Sequence, residues 1–242
     1  MCATRRRLAV DVVIPAFNER DSLPLVLSAI PGERVREIVV VDNASSDGTG
    51  EAAAASGCTV VREPRRGYGR ACLAGLEHLG RKPSPPDIVV FLDADYSDHA
   101  EELPDLVAPI EEQGADLVIG SRVRGRREPG ALLPQARIGN FIATRLIRGL
   151  YGVRVTDLGP FRAVRWDALK RLDMQDRDFG WTVEMQVKAA KLDLRVVEVP
   201  VSYRRRVGRS KITGTVRGTV LAGWKILFTI FRHTLSSSRG GS

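Results

Sequence analysis

The stretch Val89-Val90-Phe91-Leu92-Asp93-Ala94-Asp95 decides the fold. Four apolar residues in a row, β-branched at the start, predict a strand buried on both faces, as in a sheet covered by helices on each side. Asp93 and Asp95 then stand where that strand leaves the sheet. In open α/β sheets this edge is where ligands bind, and two acceptor-only carboxylates there suit a hard divalent cation carrying a phosphorylated ligand. An aspartate after a strand equally starts a turn or caps a helix, so the remainder of the chain must decide between these readings.

Outward from this stretch the same pattern repeats. Residues 8–14 predict a first strand, Pro15-Ala16-Phe17-Asn18-Glu19 a turn, and a helix begins near Asp21-Ser22 and stops at Pro31-Gly32. Residues 37–41 predict a second strand, ending in the polar loop Asp42-Asn43-Ala44-Ser45-Ser46-Asp47-Gly48, where Asp47 is placed to N-cap an alanine-rich helix. A third strand over 58–62 precedes Arg65-Arg66-Gly67-Tyr68-Gly69-Arg70 and a helix to about Leu79. Beyond the two aspartates, Asp98-His99-Ala100-Glu101 has capping-box spacing and predicts a helix to Gln113, with a buried strand at 116–120 after it. Strand and helix alternating at short intervals predict a doubly wound parallel sheet, with Asn18, Glu19, Asp42, the Arg65–Arg70 loop and Asp93–Asp95 converging on one crevice. No G-x-G-x-x-G follows the first strand and no G-x-x-x-x-G-K-[ST] occurs, which argues against an ordinary dinucleotide fold and excludes a P-loop.

The second half is different in kind. Residues 121–135 are rich in Arg, Gly and Pro and predict a mobile loop; 138–151 predict a helix with an apolar stripe flanked by Arg145 and Arg148. Helices over 166–172 and from Gly180-Trp181 precede a last strand over 194–203. With no internal repeat and no linker, residues 1–212 are read as one domain, 213–235 as a C-terminal apolar and basic helix, and 236–242 as a disordered tail.

A net charge of +8 is concentrated at the end: no acidic residue follows Glu198, while nine Lys and Arg do. Such a block is a solvated face or a holder of pyrophosphate, anionic lipid or nucleic acid. Nucleic acid is set aside, because interleaved surface aromatics and any known docking motif are missing. Cys2, Cys58 and Cys72 form neither a C-x-x-C pair nor an even set, which favours a reducing compartment. Arg5-Arg6-Arg7 before an apolar run imitates a signal peptide, but Asp11 interrupts it. No run of about 20 apolar residues is present, so the expectation is a cytoplasmic protein, soluble or peripheral on the cytoplasmic face of a membrane. The helix over 220–235 is apolar nearly all round, with Lys225 and Arg232 at the stripe's edge; it either docks on the domain or a homodimer partner, or lies in a membrane interface.

Taken together, Pro15-Ala16-Phe17-Asn18-Glu19, Asp42 to Gly48, Asp93-Ala94-Asp95, Gly120-Ser121-Arg122, Gly159-Pro160-Phe161-Arg162, Glu184-Met185 and Ser210-Lys211, in this order, resemble family 2 glycosyltransferases of the GT-A fold, and among them the polyprenyl (dolichyl) phosphate mannose or glucose synthases. The resemblance runs from about Val12 to Lys211. It implies a metal-dependent, inverting transfer of a hexose from a UDP- or GDP-linked donor, of the UDP-glucose or GDP-mannose type, to polyprenyl phosphate or an alcohol acceptor. By the same resemblance Pro15, Ala16, Asn18, Glu19, Asp42, Ser45 and Asp47 belong to the nucleotide side, with Arg70, Ala94 and Arg162 in the donor site. Asp93 faces the ribose or the metal, and Asp95 binds Mg2+ or Mn2+. Arg122, Arg204, Ser210 and Lys211 complement phosphates of donor or acceptor, for which arginine's planar fork is suited. Glu184 is the leading base if the acceptor is an alcohol; a lipid monophosphate, with a second pKa of about 6, is already anionic and needs none. Where the family pattern continues D-A-D with Leu-Gln-His, this chain has Tyr96-Ser97-Asp98, which leaves the third metal ligand to Ser97, Asp98 or water.

Overall fold

The computed structural model describes residues 7–208, 223–225, 227–230 and 232. A seven-stranded sheet is ordered β3-β2-β1-β4-β6-β5-β7. Its strands are β1 (Val10–Ala16), β2 (Glu37–Asp42), β3 (Thr59–Arg62), β4 (Ile88–Phe91), β5 (Leu117–Ser121), β6 (Arg162–Arg165) and β7 (Val196–Pro200). Helices α1 (Leu23–Ala29), α2 (Thr49–Ala55), α3 (Tyr68–Gly80), α4 (Leu103–Gln113), α5 (Pro134–Tyr151), α6 (Trp166–Leu172) and α7 (Trp181–Lys191) connect them.

All four residues of β4 are fully buried, as its unbroken apolar run requires. Burying each such side chain is worth about 1.5–3 kcal/mol relative to leaving it exposed. Val89 and Phe91 point into one layer of core and Ile88 and Val90 into the other, so β4 is the seam between both helical layers. Phe91 meets Trp181 of α7 edge to face, with ring centroids 5.8 Å apart.

The chain winds outward from β1 in both directions, through β2 and β3 on one side and β4 on the other, all parallel. That reversal puts the topological switch point, and the crevice it creates, at the carboxyl ends of β1 and β4. β6 departs from a purely parallel sheet: it runs antiparallel between β4 and β5. Its four residues begin with Arg162, which is buried, and periodicity gives no sign of a strand there.

Three local expectations are corrected. Asp98 does not cap a helix: a 3-10 turn over Ala100–Glu102 precedes α4 without any side-chain cap. Gly48, in the left-handed region, is the N-cap of α2, although Asp47 still accepts the Thr49 N–H at 3.0 Å. The last strand is shorter than residues 194–203, because beyond Pro200 only isolated bridges at Tyr203 continue the pairing. Of the C-terminal helix, the described residues are helical; Leu221, Ile226, Phe231 and Leu235, and the tail over 236–242, lie outside them.

Candidate active site

The carboxyl ends of β1, β2 and β4 each turn through a left-handed residue: Asn18 (φ 52°), Ala44 (φ 62°) and Tyr96 (φ 64°). For an aromatic residue this conformation is an outlier that the surroundings must enforce. At Tyr96 the ring is covered by the Arg204 guanidinium, 3.8 Å from its centroid. The turn brings the Ser97 N–H back to Asp95 Oδ1 at 2.9 Å, and the Ser97 hydroxyl donates to the same oxygen. Asn18 and Ser45 tie the first two turns together: the Asn18 N–H donates to Ser45 Oγ, and Asn18 Oδ1 accepts the Ser46 N–H.

These ends enclose a cleft of about 400 Å³, in the range of small-molecule and cofactor sites. Of the candidate residues, Pro15, Ala16, Glu19, Asp93, Ala94 and Asp95 line it, and Phe17 of the same turn joins them. Arg66, Gly67 and Tyr68, from the Arg65–Arg70 loop expected to converge there, also line it, together with Asn43, Asp178, Phe179 and Arg206, to which motif and spacing give no role. Arg66 stacks on Phe17 at 4.1 Å, forming a flat, cationic end. At the other end Arg206 Nη2 bridges Asp95 Oδ2 (3.1 Å) and Glu19 Oε1 (3.2 Å).

Four carboxylates, Glu19, Asp93, Asp95 and Asp178, thus face two arginines in this cleft. Burial, reinforced by the charge of Asp95, pushes the Asp93 carboxyl up to about 7, against a 3.0 Å hydrogen bond from the Tyr68 hydroxyl that pulls it down. Asp98 is buried behind them, and neither of its carboxylate oxygens has a hydrogen-bond partner among the described residues. Burial, with the charges of Asp93 and Asp95, holds its carboxyl well above the ordinary range. An acidic corner that already strains to stay ionised would repel a diphosphate, and a divalent cation would reconcile the two. Among the described residues no three His, Cys, Asp or Glu side chains form a cage. Mg2+ does not need one, since it is bound by one or two carboxylates together with substrate phosphates and water. The orphaned Asp98 and the arginine standing against Asp95 fit a cation at this corner.

Several predicted residues lie elsewhere. Asp42 accepts the Ser45 N–H at 3.0 Å, and Asp47 accepts N–H groups from Thr49 and Arg20, so both organise loops beside the cleft. Arg122 grips Asp157 with Nε (2.9 Å) and Nη2 (2.7 Å), a buried bidentate pair, and it is not among the residues lining the cleft. Burial opposes the charge on Arg122, but Asp157 more than offsets it and raises its pKa. Arg162 donates to the carbonyls of Gly159 and Thr182 from within the core, where burial lowers its pKa to about 10. Arg204 lies on Tyr96, Glu101 and the Asp98 carbonyl, and Arg70 contributes its N–H to the Arg177 carbonyl. Ser210 and Lys211 lie outside the described residues.

Glu184 is also committed. Its carboxylate accepts the N–H groups of Gln175 (3.0 and 3.1 Å) and Asp176 (2.7 Å) and pairs with Lys188 at 2.8 Å. It is buried and is not among the residues lining the cleft. Glu184→Gln should therefore cost about 1.5–3 kcal/mol of stability, the range for hydrogen bonds to a charged group. Its effect on turnover should stay within about tenfold, whereas loss of a general base costs about 10²–10⁴-fold. Urea unfolding alongside initial rates separates the two outcomes.

A doubly wound, mainly parallel sheet with a carboxylate pair at the end of its central strand is the GT-A arrangement. The sequence model of glycosyl transferase family 2 matches residues 11–173, and the chain belongs to that family. It is 42% identical over 226 residues to an uncharacterised glycosyltransferase of Mycobacterium tuberculosis, covering 90% of this chain and 98% of the relative. It is 35% identical over 230 residues to undecaprenyl-phosphate mannosyltransferase of Micrococcus luteus, covering 87% and 90%. Among solved structures it resembles glucosyl-3-phosphoglycerate synthase of M. tuberculosis in complex with Mn2+, UDP-glucose and phosphoglyceric acid, with a TM-score of 0.74 over 94% of this chain and 80% of that one. At 24% identity this last likeness speaks to the fold alone.

Proposed function

We propose that this family 2 glycosyltransferase moves a hexose from a nucleoside diphosphate sugar, of the UDP-glucose or GDP-mannose type, to polyprenyl phosphate, with inversion at the anomeric carbon. The observation that carries this reading is the Asp93–Asp95 corner, opening on a cleft whose only facing cations among its described lining residues are Arg66 and Arg206. Asp95, with Asp93 beside it, would hold Mg2+ or Mn2+. When bound, the cation neutralises charge growing on the leaving diphosphate. Tyr68 steadies Asp93, Phe17 and Arg66 offer a stacking surface for the base, and Arg206, once exchanged from Asp95, faces the phosphates.

A phosphate acceptor suits what Glu184 does. Its carboxylate is engaged by backbone N–H groups and Lys188, and a lipid monophosphate needs no base to be nucleophilic. The relative in M. luteus lends support through its own name. A second reading, an alcohol acceptor, is favoured by Asp178, a carboxyl in the cleft wall that burial raises above its ordinary range. No helix among the described residues is long and apolar enough to cross a membrane. Ile138 (61% exposed) and Phe141 (57%) on α5, beside Arg137 and Arg145, and Trp224 (68%) offer apolar surface flanked by cations for a lipid interface.

A donor panel tests the reading: UDP-glucose and GDP-mannose offered with polyprenyl phosphate in detergent, phosphoglycerate and a simple alcohol, scored by mass spectrometry. The expected product is a glycosyl monophosphopolyprenol; a product formed only on the alcohol would favour the second reading. Metal affinity supplies a further expectation. A cation requires Asp93 deprotonated, so with the carboxyl near 7 the Mn2+ affinity should rise about tenfold between pH 6 and 8. Tyr68→Phe, which removes the bond holding that carboxyl down, should move the profile to higher pH. Calorimetry at a series of pH values checks both, and a flat profile would contradict them.

A further inference from the structure

The loop between α6 and α7, residues 173–180, forms one wall of the cleft through Asp178 and Phe179. It is clamped from three sides. Glu184 holds its first half through the Gln175 and Asp176 N–H groups. The first turn of α3 presses on it: Arg70 N–H donates to the Arg177 carbonyl at 3.1 Å, and a Cβ at Gly69 would come within 2.0 Å of the Asp176 carbonyl oxygen. The third clamp comes from the C-terminal helix. Asp176 Oδ1 accepts the N–H groups of Asp178 (2.8 Å) and Gly180 (3.1 Å), while its Oδ2 pairs with Lys225 Nζ at 3.0 Å.

That helix is seated firmly enough to act as an anchor. Ile230 is fully buried in the core, and the Tyr151 hydroxyl donates to its carbonyl at 2.9 Å. Thr229 packs so closely on the loop that a Cβ at Gly180 would meet its Oγ1 at 2.7 Å and Asp176 Oδ2 at 2.4 Å. Docking on the domain, one of the two expectations for this helix, is thus what its described residues do.

We infer that the C-terminal helix is part of the donor site, with Lys225 a positioning residue that holds the Asp178–Phe179 wall in place through Asp176. This rests on reading the cleft as the donor site. The Lys225–Asp176 pair is partly exposed, so it contributes little to global stability. It instead sets how much loop ordering must accompany donor binding, and that cost enters affinity directly.

The test uses the full chain and compares wild type with Lys225→Ala, Lys225→Arg and Gly180→Ala. UDP and GDP binding with Mn2+ is measured by calorimetry, with thermal midpoints and donor KM and kcat in parallel. Lys225→Ala should weaken binding of the preferred nucleotide roughly two- to fivefold and raise donor KM by the same factor, with kcat and the midpoint held. Lys225→Arg, which keeps a cation for Asp176, should restore affinity, and Gly180→Ala, which wedges helix and loop apart, should lose it. Wild-type affinity in Lys225→Ala, equal losses in the Ala and Arg variants, or a loss tracking a lowered midpoint would overturn the inference. If wild type binds neither UDP nor GDP, the donor reading falls and takes this inference with it.

Discussion

Asp95→Ala should lower the rate of sugar transfer by roughly two to three orders of magnitude while the protein stays folded. Ser97 fixes Oδ1 from both its N–H and its hydroxyl, which leaves Oδ2 toward the cleft, where Arg206 meets it and where the proposed cation would be held. Without this carboxylate, Arg206 retains Glu19, but the proposed cation would lose one of the two carboxylates assigned to hold it. Electrophilic stabilisation by a bound metal is worth several kcal/mol, and about 3–4 kcal/mol corresponds to 10²–10³ in rate. Stability should hold, because Asp93 carries a raised pKa partly from the charge of Asp95, and removing that charge relieves it. Initial rates with Mn2+ and circular dichroism check the two halves; a variant within tenfold of wild type would count against the metal corner.

The second large effect is on stability. Asp157→Ala should destabilise the protein by about 3–5 kcal/mol, because it leaves the Arg122 guanidinium buried without its bidentate partner. Asp157 is fully buried and also accepts the Arg122 N–H at 2.8 Å, so the pair stitches the end of β5 to the segment before β6. Combining Asp157→Ala with Arg122→Met should recover part of the loss, since the uncompensated charge goes too. Urea denaturation of wild type, the single variant and the double variant measures this, and a single-variant cost below about 1 kcal/mol would show that the pair is not holding the loop.

The first half of the fold is legible because each of its strands is a short, nearly continuous Val and Ile run ending in a polar loop. Such runs are legible when both faces are buried, as in β4. The position of the carboxylates at 93 and 95 on the cleft is legible for the same reason: charge that follows abruptly on a buried run marks where the strand leaves the sheet. The second half is less legible. β6 is four residues long, starts and ends in Arg, and owes its strand state to neighbours β4 and β5 rather than to its own pattern.

Side-chain partners across long separations could not be read either. The sequence marks Arg122 as a phosphate ligand as readily as the partner of an aspartate 35 positions away. Likewise, nothing in Arg204-Arg205-Arg206 tells which of the three turns inward: Arg204 lies on Tyr96, Arg205 donates to the Pro129 carbonyl, and Arg206 alone reaches Asp95. Past Pro200 the segment is not a regular strand, so alternation gives no guide. The motif singles out Glu184, but its backbone donors, at Gln175 and Asp176, belong to a loop eight or nine residues earlier that no spacing rule anticipates.

The central proposal is that Asp93 and Asp95 would hold a cation that neutralises the charge of a nucleoside diphosphate. The most direct measurement is the electron paramagnetic resonance of Mn2+ titrated with wild-type protein, with UDP or GDP added and then repeated on Asp95→Ala. The account predicts that the free-ion signal falls when protein and one of the nucleotides are both present, and that Asp95→Ala abolishes the fall. Nucleotide binding of equal strength with Mn2+ and with EDTA would contradict it.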